Sequence, residues 1–272
     1  MTTTTLILGG TGKTGRRVAD RLRARGMPVR LGSRTGTPRF EWNDPDSWVE
    51  PLRDVAAVYL VYYPDLAIPG AAEQVGAFAS LAVTVGVRRI VLLSGRGEPN
   101  VLASEAAVRA SGAELTVLRS AFMCQNFSEG FLVDGISAGE VRFPAGTVTE
   151  PFVDAEDIAD VAVAALLGHD HVGATYDLTG PSLLSFAEAT HAIGHVLQRP
   201  IGYHAVSSED YARELTPHLP PPVVTFLVEL FREVLDGHNS HVSNDIERVL
   251  GRPARTFRAY AEATALTGAW PR

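Results

Sequence analysis

Apolar and polar positions along the chain follow two periods, one of strands and one of helices. Thr4 to Leu8 is a β-branched and aliphatic run that leads straight into Gly9-Gly10-Thr11-Gly12-Lys13-Thr14-Gly15. A helical pattern follows, with Val18 and Leu22 on one face and arginines between them. The order is strand, glycine turn, helix, and Gly26 closes the helix. Further strands are predicted at Pro28 to Leu31, Arg39 to Trp42, Ala56 to Val61, Arg89 to Leu93 and Glu114 to Leu118. Helices are predicted from about Gly70 to Val85 and around Ser104 to Ala110. Such alternation makes right-handed βαβ units and a parallel sheet covered on both faces, an α/β class.

After Arg119 the rhythm loosens. A helix is expected from Phe122 to Val133, extended pieces at Glu140 to Phe143 and Pro151 to Val153, and a helix at Asp157 to Leu166. Beyond Pro181 the pattern is mostly helical, over Phe186 to Leu197, Ser208 to Leu215, Val223 to Leu235, Ser243 to Leu250 and Phe257 to Ala265. The expected organisation is a doubly wound sheet domain over 1–180 and a smaller, mostly helical C-terminal lobe over 181–272. The most apolar long stretch, Gly70 to Val87, contains Glu73 and Gln74 and reads as a buried helix rather than a membrane span.

Composition narrows the classes. At 46% apolar and 20% charged residues the chain is of globular type, and a net charge of -7 lacks the basic footprint of a nucleic-acid binder. Cys124 is the single cysteine, so no internal disulfide forms, and no signal-peptide pattern opens the sequence. The expected setting is cytoplasmic, the expected partner a small molecule, with neither nucleic acid nor membrane. Nothing in the pattern specifies an oligomeric state.

Gly9, Gly12 and Gly15 stand in a G-x-x-G-x-x-G spacing between a strand and a helix, the context of a Rossmann-type dinucleotide loop. There the turn is tight, the backbone can approach a pyrophosphate, and the helix N-terminus faces its charge. A phosphate-binding mononucleotide loop fits less well despite Lys13-Thr14, because position 7 is isoleucine where that motif needs glycine. NAD-binding loops of this type place an Asp or Glu about 20 residues on, against the ribose hydroxyls. Between Asp20 and Glu41 there is no carboxylate, and the second strand ends in Gly32-Ser33-Arg34. A guanidinium pairs with a 2′-phosphate where a carboxylate would repel it, which favours NADP(H).

The stretches Gly9 to Thr14, Leu31 to Arg34, Phe40-Glu41-Trp42, Val58 to Val61, Arg89 to Ser94, Leu118-Arg119 with Phe122-Met123 and Asn126-Phe127, and Gly251-Arg252-Pro253 with Thr256-Phe257 carry a family likeness. Over nearly its whole length the chain resembles the NmrA-like atypical short-chain dehydrogenases, and within them the festuclavine dehydrogenase type of ergot alkaloid biosynthesis. The resemblance implies that Thr11, Lys13 and Thr14 lie along the phosphates, Glu41 and Trp42 near the adenine, Tyr62 beside the ribose, and Ser94 and Phe122 near the nicotinamide. Two positions depart from the pattern: Ser120 stands where a proline is usual, and Ala106 where many relatives carry lysine.

Typical short-chain dehydrogenases protonate their product with a Tyr-x-x-x-Lys pair. Of the 24 basic residues only Lys13 is a lysine, so that pair does not exist here. Ser94 and Tyr63, both at strand ends where ligands bind, are the candidate proton donors, each with a purely structural role as its alternative. His191 and His195 lie four apart on a helix, but no H-E-x-x-H arrangement accompanies them and no metal site is expected. Asp154 and Asp157 read as helix capping. The expected activity is NADP(H)-dependent reduction of a conjugated organic substrate such as a cyclic iminium, quinone or enone, with Phe226, Leu227 and Phe231 as apolar walls. The rival reading is a non-catalytic NADP(H) sensor.

Overall fold

A computed structural model of the chain describes residues 4–270. Its strands are β1 (Thr4–Leu8), β2 (Val29–Gly32), β3 (Val55–Leu60), β4 (Arg89–Gly95), β5 (Glu114–Ser120), β6 (Glu140–Phe143), β7 (Thr149–Glu150), β8 (Thr175–Leu178), β9 (Leu184–Ser185) and β10 (Gly202–Ala205). Its helices are α1 (Lys13–Ala24), α2 (Val49–Leu52), α3 (Ala71–Thr84), α4 (Val101–Ala110), α5 (Val133–Ala138), α6 (Ala155–Leu167), α7 (Phe186–Leu197), α8 (Ser208–Leu215), α9 (Pro221–Val234), α10 (Asp245–Leu250) and α11 (Phe257–Ala265). Six strands form one parallel sheet in the order β2-β1-β3-β4-β5-β8. The expected Rossmann-type architecture is the one observed.

The strand period explains the two cores that sandwich this sheet. Leu6, Leu8, Val58, Leu60, Ile90 and Leu92 belong to one cluster, which also holds Val75 and Phe78 of α3. Ile7, Tyr59, Val91 and Leu118 point the other way, into a cluster with Val18 and Leu22 of α1 and the apolar face of α6. Because successive side chains leave opposite faces of a strand, a run such as Ile90-Val91-Leu92 is buried on both sides. A third cluster joins Cys124, Phe127, Phe143 and Phe152 to Phe186, Phe231, Phe257 and Trp270, residues from both sides of position 180.

Two predicted elements are corrected. Arg39 to Trp42 is not a strand: Phe40 N donates to Ser33 O at 2.9 Å, and Trp48 Nε1 donates to Glu41 O at 2.9 Å, so the backbone is held in a turn. The buried pair Phe40 and Trp42 mimics strand alternation, but both rings pack on Phe78, at 5.6 and 5.3 Å. Phe122 to Val133 is not one helix. Cys124 N donates to Val153 O and Val153 N to Phe122 O, which ties this segment to a neighbouring strand-like piece; only Cys124–Phe127 turns as a 3-10 helix before α5. Strand β8 escaped the pattern because its alternation, with Tyr176 and Leu178 buried, runs for only four residues.

Capping behaves as expected at Asp154, whose side chain accepts from Glu156 N at 2.9 Å. Asp157 does something else. Its carboxylate, fully buried, accepts from Arg252 at 2.7 Å and from the backbone N of Arg255 at 2.6 Å, pinning the segment after α10 onto α6.

Candidate cofactor and substrate site

Strand β1 runs between β2 and β3, so the connections from its neighbours depart in opposite directions and open a crevice at the carboxyl ends. A cavity of about 980 Å³ fills that crevice. The loops after β1, β2, β3, β4 and β5 all contribute to it, and α9 closes it from the smaller lobe.

The glycine loop is built for close approach. Gly9 has φ +64°, a left-handed conformation that favours glycine, and its carbonyl accepts from Gly12 N at 2.8 Å. A Cβ on Gly15 would lie 2.2 Å from that carbonyl, so Gly15 packs helix against loop behind the cavity instead of lining it. A Cβ on Gly12 would meet only Gly9 O, at 3.2 Å, and otherwise open space. Gly12 is also the N-cap of α1, which has no side-chain cap and no acidic residue in its first turn. The helix therefore turns uncapped N–H groups and the positive end of its dipole towards the cavity. Thr11, Lys13 and Thr14 line the same wall. Lys13 Nζ donates to Asn126 Oδ1 at 2.7 Å, and burial, only partly offset by Glu129, lowers its pKa.

At the other end, Ser33, Arg34, Glu41, Trp42 and Tyr62 share the cavity wall. The Trp42 and Tyr62 rings lie 4.8 Å apart, and the Tyr62 hydroxyl donates to Gln74 Oε1 at 2.6 Å, which fixes an aromatic shelf. Arg34 is exposed, its guanidinium carbon 5.9 Å from the Tyr63 ring centroid, and among the described residues no carboxylate pairs with it. Donors for two separate anionic groups, Lys13 with the α1 N-terminus and Arg34, thus stand at the two ends of one crevice. The residues present suit a dinucleotide carrying a third phosphate.

The two proton-donor candidates share the cavity in very different settings. Ser94 is buried, and its hydroxyl donates to Glu105 Oε1 at 2.7 Å; Arg119 donates to the two oxygens of the same carboxylate at 2.9 and 2.7 Å. Tyr63 stands at the mouth, 71% exposed. Phe122 lies on the inner wall, its ring 5.0 Å from Phe186. Leu227, Leu230, Phe231 and Val234 form one helical stripe of α9 along the cavity, whereas Phe226, an expected wall, is not part of the lining.

Two acids in this cavity were not singled out from the sequence. Glu98, in the loop after β4, has a buried Oε2 without a hydrogen-bond partner among the described residues. Burial, reinforced by Asp65 and Glu233, pushes its carboxyl up to about 8. Glu150 on β7 is buried with an unpartnered Oε1, and burial raises its carboxyl to about 7 against the pull of Arg96 and His238. Position after the carboxyl end of a predicted parallel strand places Glu98 near ligands but does not distinguish it from an ordinary charged loop residue. Among the described residues no group of three or more His, Cys, Asp or Glu is placed to hold a metal ion, and no helix is long and apolar enough to cross a membrane.

No protein-family model matches the chain. It is 34% identical, over 279 residues, to a (4-alkanoyl-5-oxo-2,5-dihydrofuran-3-yl)methyl phosphate reductase of Streptomyces griseus, covering 94% of this chain and 96% of that one. It is 30% identical to a festuclavine dehydrogenase of Aspergillus fumigatus over 285 residues, covering 95% and 97% respectively. The chain belongs to the NmrA-like atypical short-chain dehydrogenase family. This NmrA-like chain also shares its fold with an NADPH-dependent quinone oxidoreductase of Escherichia coli solved with NADPH. The TM-score is 0.76 at 19% identity, over 95% of this chain and 99% of that one.

Proposed function

We propose that this protein is an NADP(H)-dependent reductase of conjugated organic substrates, the class of cyclic iminium ions, quinones and enones. The observation that carries the cofactor choice is the end of β2, where the chain has no carboxylate and where Arg34 stands with no carboxylate partner among the described residues. The names of the Streptomyces, Aspergillus and Escherichia coli proteins, two reductases or dehydrogenases and an NADPH-dependent oxidoreductase, support the same reading.

The residues divide the work by position. The Gly9 to Gly12 backbone, the α1 N-terminus and Lys13 would hold the pyrophosphate, Arg34 with Ser33 the 2′-phosphate, and Trp42 and Tyr62 the adenosine end. When bound, the reduced nicotinamide supplies a hydride. Phe122 and the α9 stripe would give that end of the cavity one apolar side. Ser94 and Tyr63 are the hydroxyl groups in the cavity wall, although the Ser94 hydroxyl is already given to Glu105. An iminium carries its charge beforehand and needs no proton, while a plain ketone needs one fully delivered, so unactivated ketones should be poor substrates.

The test is NADPH consumption with a matched panel of imines, quinones, enones and ketones, followed by Tyr63→Phe and Ser94→Ala. Steady turnover of the conjugated members supports the reductase. Tight NADPH binding without turnover supports the sensor. Fast ketone reduction that collapses in one variant would establish a conventional donor and defeat the argument from the missing lysine.

A further inference from the structure

We infer that Glu98 is the acid that protonates the reduced substrate, which admits conjugated carbonyl compounds, quinones and enones, to the substrate class beside iminium ions. This rests on the reductase reading above. The geometry starts at Gly95, the last residue of β4, one of the inner strands of the sheet. A Cβ there would fall 1.9 Å from Glu98 Oε1, so the carboxyl lies directly on the glycine at the carboxyl end of the strand, in the wall of the cavity. A side chain at position 95 would displace the carboxyl from this place. The other oxygen, Oε2, is buried and has no partner among the described residues. A buried carboxyl oxygen that no donor reaches is more costly as part of an anion than as part of a neutral carboxyl group.

The charged groups around Glu98 enforce that form. Asp65, from the loop after β3, and Glu233, from α9, both raise its pKa; His238, after α9, is committed to Asp236 and to the Gly97 carbonyl at 2.9 Å. Glu150, also in the cavity lining, has Arg96 and His238 to favour its charge and lacks this acidic company. That difference in neighbours selects Glu98 as the acid. Burial that would be a liability elsewhere keeps a carboxylic acid protonated at neutral pH, ready to donate.

The step balances as follows. A quinone or enone accepts a hydride, two electrons and one proton's worth of hydrogen, from the reduced nicotinamide, which is left oxidised. Its carbonyl oxygen takes the proton of Glu98 as the O–H bond of the carboxyl breaks, giving a hydroquinone or enol. The Glu98 carboxylate then regains a proton from solvent.

The experiment compares wild type with Glu98→Gln in the full chain at saturating NADPH, using one quinone and one cyclic iminium. The quinone rate should fall on the order of 10²-fold and the iminium rate by far less. A second measurement needs neither cofactor nor substrate: infrared difference titration should show a carboxyl proton lost near pH 8 in wild type and missing from Glu98→Gln. Unchanged quinone turnover, equal losses for both substrates, or an unaltered infrared titration each overturn the assignment while leaving the reductase reading intact. A wild type that binds NADPH and reduces nothing overturns both. If Glu98→Gln does not fold, Glu98→Asp, which draws the acid back, should lower the quinone rate in the same selective way, and a non-selective effect overturns the role.

Discussion

Charge reversal at Arg34 should invert the cofactor preference. The guanidinium is exposed, so its pairing with a 2′-phosphate belongs at the low end of the range for charge-assisted hydrogen bonds, about 1.5 kcal/mol. That alone is roughly a tenfold preference for NADPH over NADH. Arg34→Asp removes it and adds repulsion between two anions in contact with water, about 1 kcal/mol at about 4 Å. The sum of about 2.5 kcal/mol is roughly a 60-fold weaker NADPH complex. NADH has no 2′-phosphate, and an aspartate can accept from its ribose hydroxyl, so NADH affinity should hold or improve. The Tyr63 ring beneath the guanidinium restricts where Arg34 can reach, so the preference should be partly retained in Arg34→Lys, which keeps the charge but loses the planar fork. Calorimetric or fluorescence titration of both cofactors into the three proteins, at low and high salt, measures all of this. Equal affinities of the wild type for NADPH and NADH, or a preference that ignores salt, would refute the reasoning.

Three further outcomes follow from the same geometry. Gly12→Val should abolish NADPH binding in a folded protein, because its Cβ has only Gly9 O at 3.2 Å within the chain and the branch must therefore enter the cavity; unchanged affinity would make the loop a packing turn only. Asp157→Ala should destabilise the fold by roughly 2 to 3 kcal/mol in denaturant unfolding, since Arg252 and the Arg255 backbone both lose a buried acceptor. Glu98→Gln should raise thermal stability more at about pH 9 than at about pH 5. The folded chain keeps the Glu98 proton up to about 8 while an unfolded carboxyl releases it near 4.5, so stability falls as pH rises through that window, and the amide removes the fall; an offset between the two proteins that does not change with pH would contradict it.

Much of the sheet was legible because its strands are buried on both faces and flanked by glycines. Runs such as Arg89 to Leu93 admit little else, and the loop from Gly9 to Gly15 announces the turn that must follow. The segments that misled are those where tertiary contacts imitate a period. Phe40 and Trp42 are spaced like one face of a strand, but it is the ring cluster with Trp48 and Phe78 that buries them, and the backbone bonds to a turn. Phe122 to Val133 has helical spacing, yet Val153, distant in sequence, captures its first residues.

The same distinction governs the site. A cofactor loop is local: glycine spacing, the helix start and the residue ending the next strand sit within a few dozen positions, so Gly12, Lys13 and Arg34 could be named from the chain alone. A proton donor is set by environment, which no local pattern carries. Ser94 and Tyr63 were suggested by hydroxyl chemistry at strand ends, but one hydroxyl is committed to the carboxylate that Arg119 holds and the other stands in water. Glu98 reads in sequence as an ordinary charged loop residue between Gly97 and Pro99. What sets it apart is the coming together of Gly95 beneath it, Asp65 from another loop and Glu233 from α9 of the smaller lobe. Helix α9 therefore does two things at once: it lines the cavity with Leu227, Leu230 and Phe231, and it brings up a carboxylate that adds to burial and Asp65 in raising the Glu98 pKa. Substrate enclosure and acid strength are then coupled through one helix. Glu233→Gln should lower the pH at which the Glu98 proton is lost without touching the lining, and a titration indifferent to Glu233 would uncouple them.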